Sequence, residues 1–63
     1  MTKADAIDAV RNGKLVECSA AEYPEIRTAL HEQVGKWVDW GDTVRAQIGL
    51  SEIKRLDMKY PNR

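Results

Sequence analysis

The chain has 63 residues, with ten basic and ten acidic side chains, one histidine and a formal net charge of zero. This length predicts one domain covering residues 1–63, because single cores are typically built from about 50 to 200 residues. A domain this small has little room to enclose a substrate pocket, which argues against an enzyme. Hydrophobic content of 43% with 32% charged residues is typical of a soluble globular domain.

Cysteine usage and hydropathy predict a cytoplasmic protein that does not contact a membrane. Cys18 is the one cysteine, and a lone thiol is typical of a reducing compartment. No basic stretch followed by an apolar run indicates a secretory signal. No apolar run approaches the roughly 18 residues that a membrane-spanning helix needs.

The first helix is predicted over residues 3 to 11. Thr2 followed by Asp5 is a capping-box pattern, and Asn12-Gly13 is a typical helix end because both residues tolerate the left-handed conformation. Between these signals apolar residues recur at helical spacing: Ala4, Ile7 and Val10.

A short strand is predicted at Lys14 to Cys18. Its alternation places Val16 and Cys18 on one face and Leu15 and Glu17 on the other.

The second helix is predicted to begin at Pro24, after an irregular turn over Ser19 to Tyr23. Ser19 and Glu22 form another capping-box pattern, but Pro24 would then lie one turn inside a regular helix, where it removes a hydrogen bond. The apolar stripe of this helix has spacings of three, four and four residues: Tyr23, Ile26, Leu30 and Val34.

Two interpretations are open at Gly35. A break there makes Lys36 to Trp40 and Thr43 to Ile48 a β-hairpin with a Gly41-Asp42 turn, and it is favoured because Trp and Val prefer strands and a mid-helix glycine costs about 1 kcal/mol. The alternative is one long helix that continues through Gly35 and adds Trp37 to the apolar stripe.

The last helix is predicted after Gly49, with Ser51 as its N-cap and Pro61 as its end. Ile53, Leu56 and Tyr60 share its apolar face. The predicted fold class is therefore α+β, a helix–strand–helix–β-hairpin–helix domain, and the alternative is an all-α bundle of three or four helices.

No catalytic or metal-binding pattern emerges from the sequence. Cys18 and His31 are the one thiol and the one imidazole, and we expect both to be structural because no oxyanion-hole loop accompanies them. One Cys and one His cannot supply a zinc site without carboxylates, and the carboxylates are spread singly along the chain. We therefore predict no catalytic residue, no metal and no cofactor.

Nucleic-acid binding is the alternative function. Residues 41–63 contain five basic and three acidic side chains, against five basic and seven acidic in residues 1–40. A homodimeric DNA-binding regulator would use the basic side chains of the C-terminal region, for which the candidates are Arg45, Lys54, Arg55 and Lys59. A ribbon–helix–helix arrangement with Lys14 to Cys18 as the ribbon is disfavoured, because Glu17 would repel phosphate.

The aromatic cluster gives the leading function. Trp37 and Trp40 lie within four residues, and a domain this small cannot easily cover both, so we expect one in the core and one exposed. Trp and Tyr are common interface anchors because they bury a large area at low entropy cost. We therefore predict a non-enzymatic interaction module that docks on a larger protein or complex and modulates or inhibits it. Its partner-binding candidates are Trp37, Trp40, Tyr23 and Met58.

The oligomeric state stays open at this point, with a homodimer as one alternative. The small size and neutral charge are also typical of accessory proteins that phages and mobile elements encode, although no motif supports that comparison.

Overall fold

Three α-helices make up the part of the chain that the structure, a computed structural model, describes, which is residues 1–61. The helices are α1 (Lys3–Arg11), α2 (Tyr23–Asp39) and α3 (Thr43–Lys59). Residues 1–61 contain no strand, so the predicted α+β class is wrong and the all-α alternative is the one that the structure shows.

The first helix is confirmed with its predicted bounds. The Thr2 hydroxyl accepts the Asp5 N–H at 3.1 Å and the Asp5 carboxylate accepts the Thr2 N–H at 3.2 Å, which completes the capping box. The helix ends in a Schellman motif, where the Lys14 N–H donates to the Ala9 carbonyl and Gly13 takes a positive φ of 69°.

The start of α2 also follows the sequence signals. The Ser19 N–H donates to the Glu22 carboxylate at 2.9 Å, and the Glu22 N–H donates to the Ser19 hydroxyl at 3.3 Å. Regular helix begins at Tyr23, one residue before the prediction. Pro24 lies in the first turn, where its missing N–H costs nothing.

The predicted β-hairpin over residues 36–48 is wrong, because α2 continues through Gly35 to Asp39. Tertiary packing outweighs the strand preference of this segment: Trp37 lies on the same side of α2 as Leu30 and Val34, and all three are buried. A Cβ at position 35 would face open space, so the glycine lowers the stability of α2 only through its low helix propensity.

Gly41 does form a turn, but between two helices. The Asp42 N–H donates to the Trp37 carbonyl at 2.8 Å and Gly41 has a φ of 79°, which is a second Schellman motif. Asp42 then caps α3 by accepting the Arg45 N–H at 3.1 Å. The last helix therefore begins at Thr43, and its N-cap lies nine residues before the predicted N-cap Ser51.

Gly49 lies inside α3 because α2 approaches closely there. A Cβ at position 49 would lie 2.5 Å from Val34 Cγ2 and 3.4 Å from the Trp37 ring. The two helices run antiparallel, and α1 covers the core that they form. The largest fully buried side chains are Ile26, Leu30, Leu56, Val10 and Val16.

The segment from Lys14 to Cys18 is not a strand, since no other segment of residues 1–61 pairs with it through backbone hydrogen bonds. The predicted alternation of its faces is nevertheless present. Val16 and Cys18 are buried, whereas Leu15 and Glu17 are exposed.

Candidate functional site

The two tryptophans occupy opposite environments. Trp37 is 2% exposed and packs over Gly49, whereas Trp40 is 69% exposed at the C-cap of α2. The expectation of one core and one surface tryptophan is confirmed, and Trp40 is the exposed one. Trp37, a candidate for partner contact, is therefore a core residue.

Two further apolar side chains are exposed at the same α2–α3 turn. Val38 is 55% exposed in the last turn of α2, and Val44 is 70% exposed in the first turn of α3. We name Val38, Trp40 and Val44 the turn patch. Each of the three exposes apolar surface near this turn, and Trp40 has the largest side chain among them, which makes it the candidate contact residue.

The structure does not bring Tyr23 and Met58 to this patch. Tyr23 is the first residue of α2, and α2 is 17 residues long, so about 25 Å of helix separates it from Trp40. Met58 lies near the end of α3, which runs antiparallel to α2. Of the four predicted partner-binding residues, one therefore lies in the core and one in the turn patch. The other two lie at the opposite end of the α2–α3 pair, where α2 begins and α3 ends.

Tyr23 belongs to a polar network that joins the beginning of α2 to the end of α3. Its hydroxyl donates to the Asp57 carboxylate, and the Arg27 guanidinium donates to the same carboxylate at 2.8 Å and 3.3 Å. The Tyr23 and Tyr60 ring centroids are 5.4 Å apart. An open groove of ≈ 530 Å³ lies here, lined by Tyr23, Pro24, Arg27, Thr28 and Asp57.

This network explains the pKa shifts of its members. The hydrogen bonds from Arg27 and then Tyr23 lower the pKa of Asp57, and the hydrogen bond to Asp57 raises the pKa of Tyr23. Asp57 is thus held as an acceptor-only carboxylate with both oxygens in use. The network is a helix-to-helix tie on the surface.

Cys18 and His31 are not hydrogen-bonded to each other. Cys18 is buried and His31 is exposed on α2. Among residues 1–61, no group of three or more His, Cys, Asp or Glu side chains is arranged to hold a metal ion. None of the three helices has the length and apolar character needed to cross a membrane.

Two of the four candidate nucleic-acid contacts are already paired with carboxylates. Arg45 donates to Asp42 at 2.6 Å, and Arg55 donates to Glu52 at 2.9 Å. Lys59 lies 5.3 Å from the Tyr60 ring centroid, and Lys54 is exposed on the outer side of α3. The basic side chains therefore do not form a patch clear of acidic groups.

Arg55, which the sequence offered only as a nucleic-acid contact, has a structural role that the sequence analysis missed. Together with Glu52 it holds the backbone of Val16: the Val16 N–H donates to Glu52 Oε2 at 2.9 Å, and Arg55 Nη2 donates to the Val16 carbonyl at 2.6 Å. The Tyr60 hydroxyl also donates to the Cys18 carbonyl at 2.6 Å. We name Glu52, Arg55 and Tyr60 the clamp.

The clamp also explains why a carboxylate is tolerated on the buried side of α3. Burial would raise the pKa of Glu52, but the hydrogen bonds from Arg55 and from the Val16 N–H outweigh burial and lower it. A sequence signal for this role exists. Glu52 lies beside Ile53 and one turn before Leu56, so its position on the apolar stripe indicates burial, and Arg55 follows it at a spacing of three residues.

Comparison with protein-family models, with curated proteins and with solved structures found no match to this chain.

Proposed function

We propose that this protein is a non-enzymatic interaction module of the cytoplasm, which docks on a larger protein through the turn patch and modulates or inhibits it. The observation that carries the proposal is the exposure of Trp40, 69%, between Val38 and Val44. A tryptophan that keeps most of its surface in water gains a large area of burial when a partner covers it.

The way the turn is built supports a docking role. The Schellman motif and the Asp42 cap fix the backbone on both sides of Trp40, so a partner meets a preformed surface and little backbone entropy is lost on binding. Asp39 lies between Val38 and Trp40 in sequence and Arg45 follows Val44, so charged side chains of both signs are sequence neighbours of the patch.

The test compares two single variants. Trp40→Ala should remain folded and lose binding by about 2 kcal/mol or more, which is roughly thirtyfold, as expected for an interface anchor. Trp37→Ala should lose on the order of 3 to 5 kcal/mol of stability, because it empties the space over Gly49. Far-UV circular dichroism separates a folded variant from an unfolded one.

Binding is measured by affinity capture from host lysate with and without nuclease, followed by titration of the captured protein. Met58→Ala is the matched control, since Met58 is 75% exposed at the other end of α3. A partner retained by wild type and Met58→Ala but lost with Trp40→Ala supports the proposal. Equal retention by Trp40→Ala contradicts it. A nuclease-sensitive interaction that weakens steeply with salt and with Lys54→Glu favours the DNA-binding alternative instead.

A further inference from the structure

The segment from Lys14 to Cys18 has two edges, and the clamp occupies one of them. The Val16 N–H, the Val16 carbonyl and the Cys18 carbonyl all bond to side chains of the C-terminal region, at 2.9, 2.6 and 2.6 Å. In an extended chain the N–H and C=O of one residue point to the same side, and those of its neighbours point to the opposite side. The bonding of residues 16 and 18 to one side thus indicates an extended backbone.

The opposite edge carries the N–H and C=O groups of Leu15 and Glu17. None of these four groups has a hydrogen-bond partner within residues 1–61. Both residues are exposed, and Leu15 has 61% of its surface in contact with solvent. An extended segment with unpaired groups on one edge is a template for another strand.

We propose that this edge pairs with the same edge of a second copy of the chain, forming a two-stranded antiparallel ribbon about a two-fold axis at Val16. In this register Leu15 of one copy and Glu17 of the other exchange both N–H···O bonds, and the two-fold axis repeats the exchange. Four backbone bonds form and no outward group of residues 15 to 17 stays unpaired.

The occupant is a second copy because the edge is complementary to itself. Lys14 and Glu17 give the segment no net charge, so two copies approach without net repulsion. The pairing also covers part of Leu15, which is 61% exposed in the single chain. The two Glu17 carboxylates lie diagonally across the ribbon, and this is its one unfavourable contact.

The test is the oligomeric state, measured by sedimentation equilibrium over a dilution series. Wild type should show a weak monomer–dimer equilibrium, because only four backbone hydrogen bonds and the cover over Leu15 stabilise the dimer. Glu17→Pro removes the outward N–H from both copies, and the dimer dissociation constant should rise tenfold or more. Glu17→Gln is the matched control: it keeps the N–H, removes the carboxylate charge and should dimerise at least as tightly as wild type.

A second measurement keeps the result clear if Glu17→Pro disturbs folding. Amide hydrogen exchange of the wild-type chain should show protection at Leu15 and Glu17 that disappears on dilution. A chain that stays monomeric up to its solubility limit overturns the proposal, as does a dimer in which these two amides stay unprotected. Trp40→Ala should leave the dimer intact, so this result and the docking result are independent.

Discussion

Gly35 and Gly49 provide a sharp test of the packing described for α2 and α3. Both lie inside helices, and alanine is favoured over glycine there by about 1 kcal/mol. At position 35 a Cβ meets nothing within 4 Å, so Gly35→Ala should stabilise the fold by the full helix-propensity difference of about 1 kcal/mol. At position 49 a Cβ would lie 2.5 Å from Val34 Cγ2, about 1 Å closer than the favourable separation of two carbon atoms.

Val34 cannot easily move away from that Cβ. It is buried, and a β-branched side chain in a helix is held near one rotamer. Overpacking of this kind costs about 1 to 3 kcal/mol, which cancels or exceeds the helix-propensity gain. We expect Gly49→Ala to lie about 1 to 3 kcal/mol below Gly35→Ala in stability.

Thermal unfolding followed by far-UV circular dichroism measures this difference. A change of 1 kcal/mol shifts Tm by about 4 to 8 °C in a domain of this size, so Gly35→Ala should melt above wild type by roughly that amount. Gly49→Ala should melt at or below wild type. Adding Val34→Ala to Gly49→Ala should cost less than Val34→Ala alone, because it removes the clash. A Gly49→Ala variant as stable as Gly35→Ala would refute the close approach of the two helices.

Two further predictions concern the clamp and the response to acid. Glu52→Ala leaves the buried Val16 N–H without an acceptor and should cost about 1 to 3 kcal/mol in urea unfolding, whereas Glu52→Gln keeps an acceptor oxygen and should cost less; equal losses would contradict the hydrogen bond. The Met1 ammonium and then the Ser19 N–H and hydroxyl lower the pKa of Glu22 from 4.5 to about 2. Because the folded-state pKa is the lower one, this carboxylate stabilises the fold above pH 4.5, and its contribution is lost as pH falls toward 2. Glu22→Gln should therefore show a smaller drop in Tm than wild type over that interval, with Glu25→Gln as the control; identical pH profiles for all three proteins would count against the ion pair.

Local signals identified both ends of α1 and the start of α2, whereas the end of α2 and the start of α3 were predicted wrongly. The Thr2–Asp5 box, the Ser19–Glu22 pair and the glycines at 13 and 41 act through hydrogen bonds and backbone angles within a few residues, so their meaning survives without the rest of the fold. Gly41 alone did not decide between a β-hairpin turn and a turn between two helices. A left-handed glycine suits a hairpin turn and a Schellman motif alike, and only the helical packing of Trp37 on one side and the Asp42 cap on the other select the second.

The other errors come from interactions that are distant in sequence. Gly49 was interpreted as the break between the predicted strand at Thr43 to Ile48 and the last helix, because the close approach of Val34, fifteen residues earlier, is not visible in a local pattern. The segment from Lys14 to Cys18 has the alternation of a strand, and its buried face was predicted correctly. The partners of its backbone are side chains 36 and 39 residues away, however, rather than another strand.

Trp40 is the residue whose presence the fold itself does not explain. It occupies a helix C-cap with φ −83° and ψ −2°, a conformation open to any L-residue, and the turn is held by backbone bonds of its neighbours rather than by the indole. Trp37, by contrast, fills the space between α2 and Gly49, and the core needs it because the chain has no phenylalanine. A polar residue at position 40 would satisfy the same cap and expose less apolar surface to water. The fold therefore gives no reason for an indole at this position, and this argues for the docking role that we propose for Trp40.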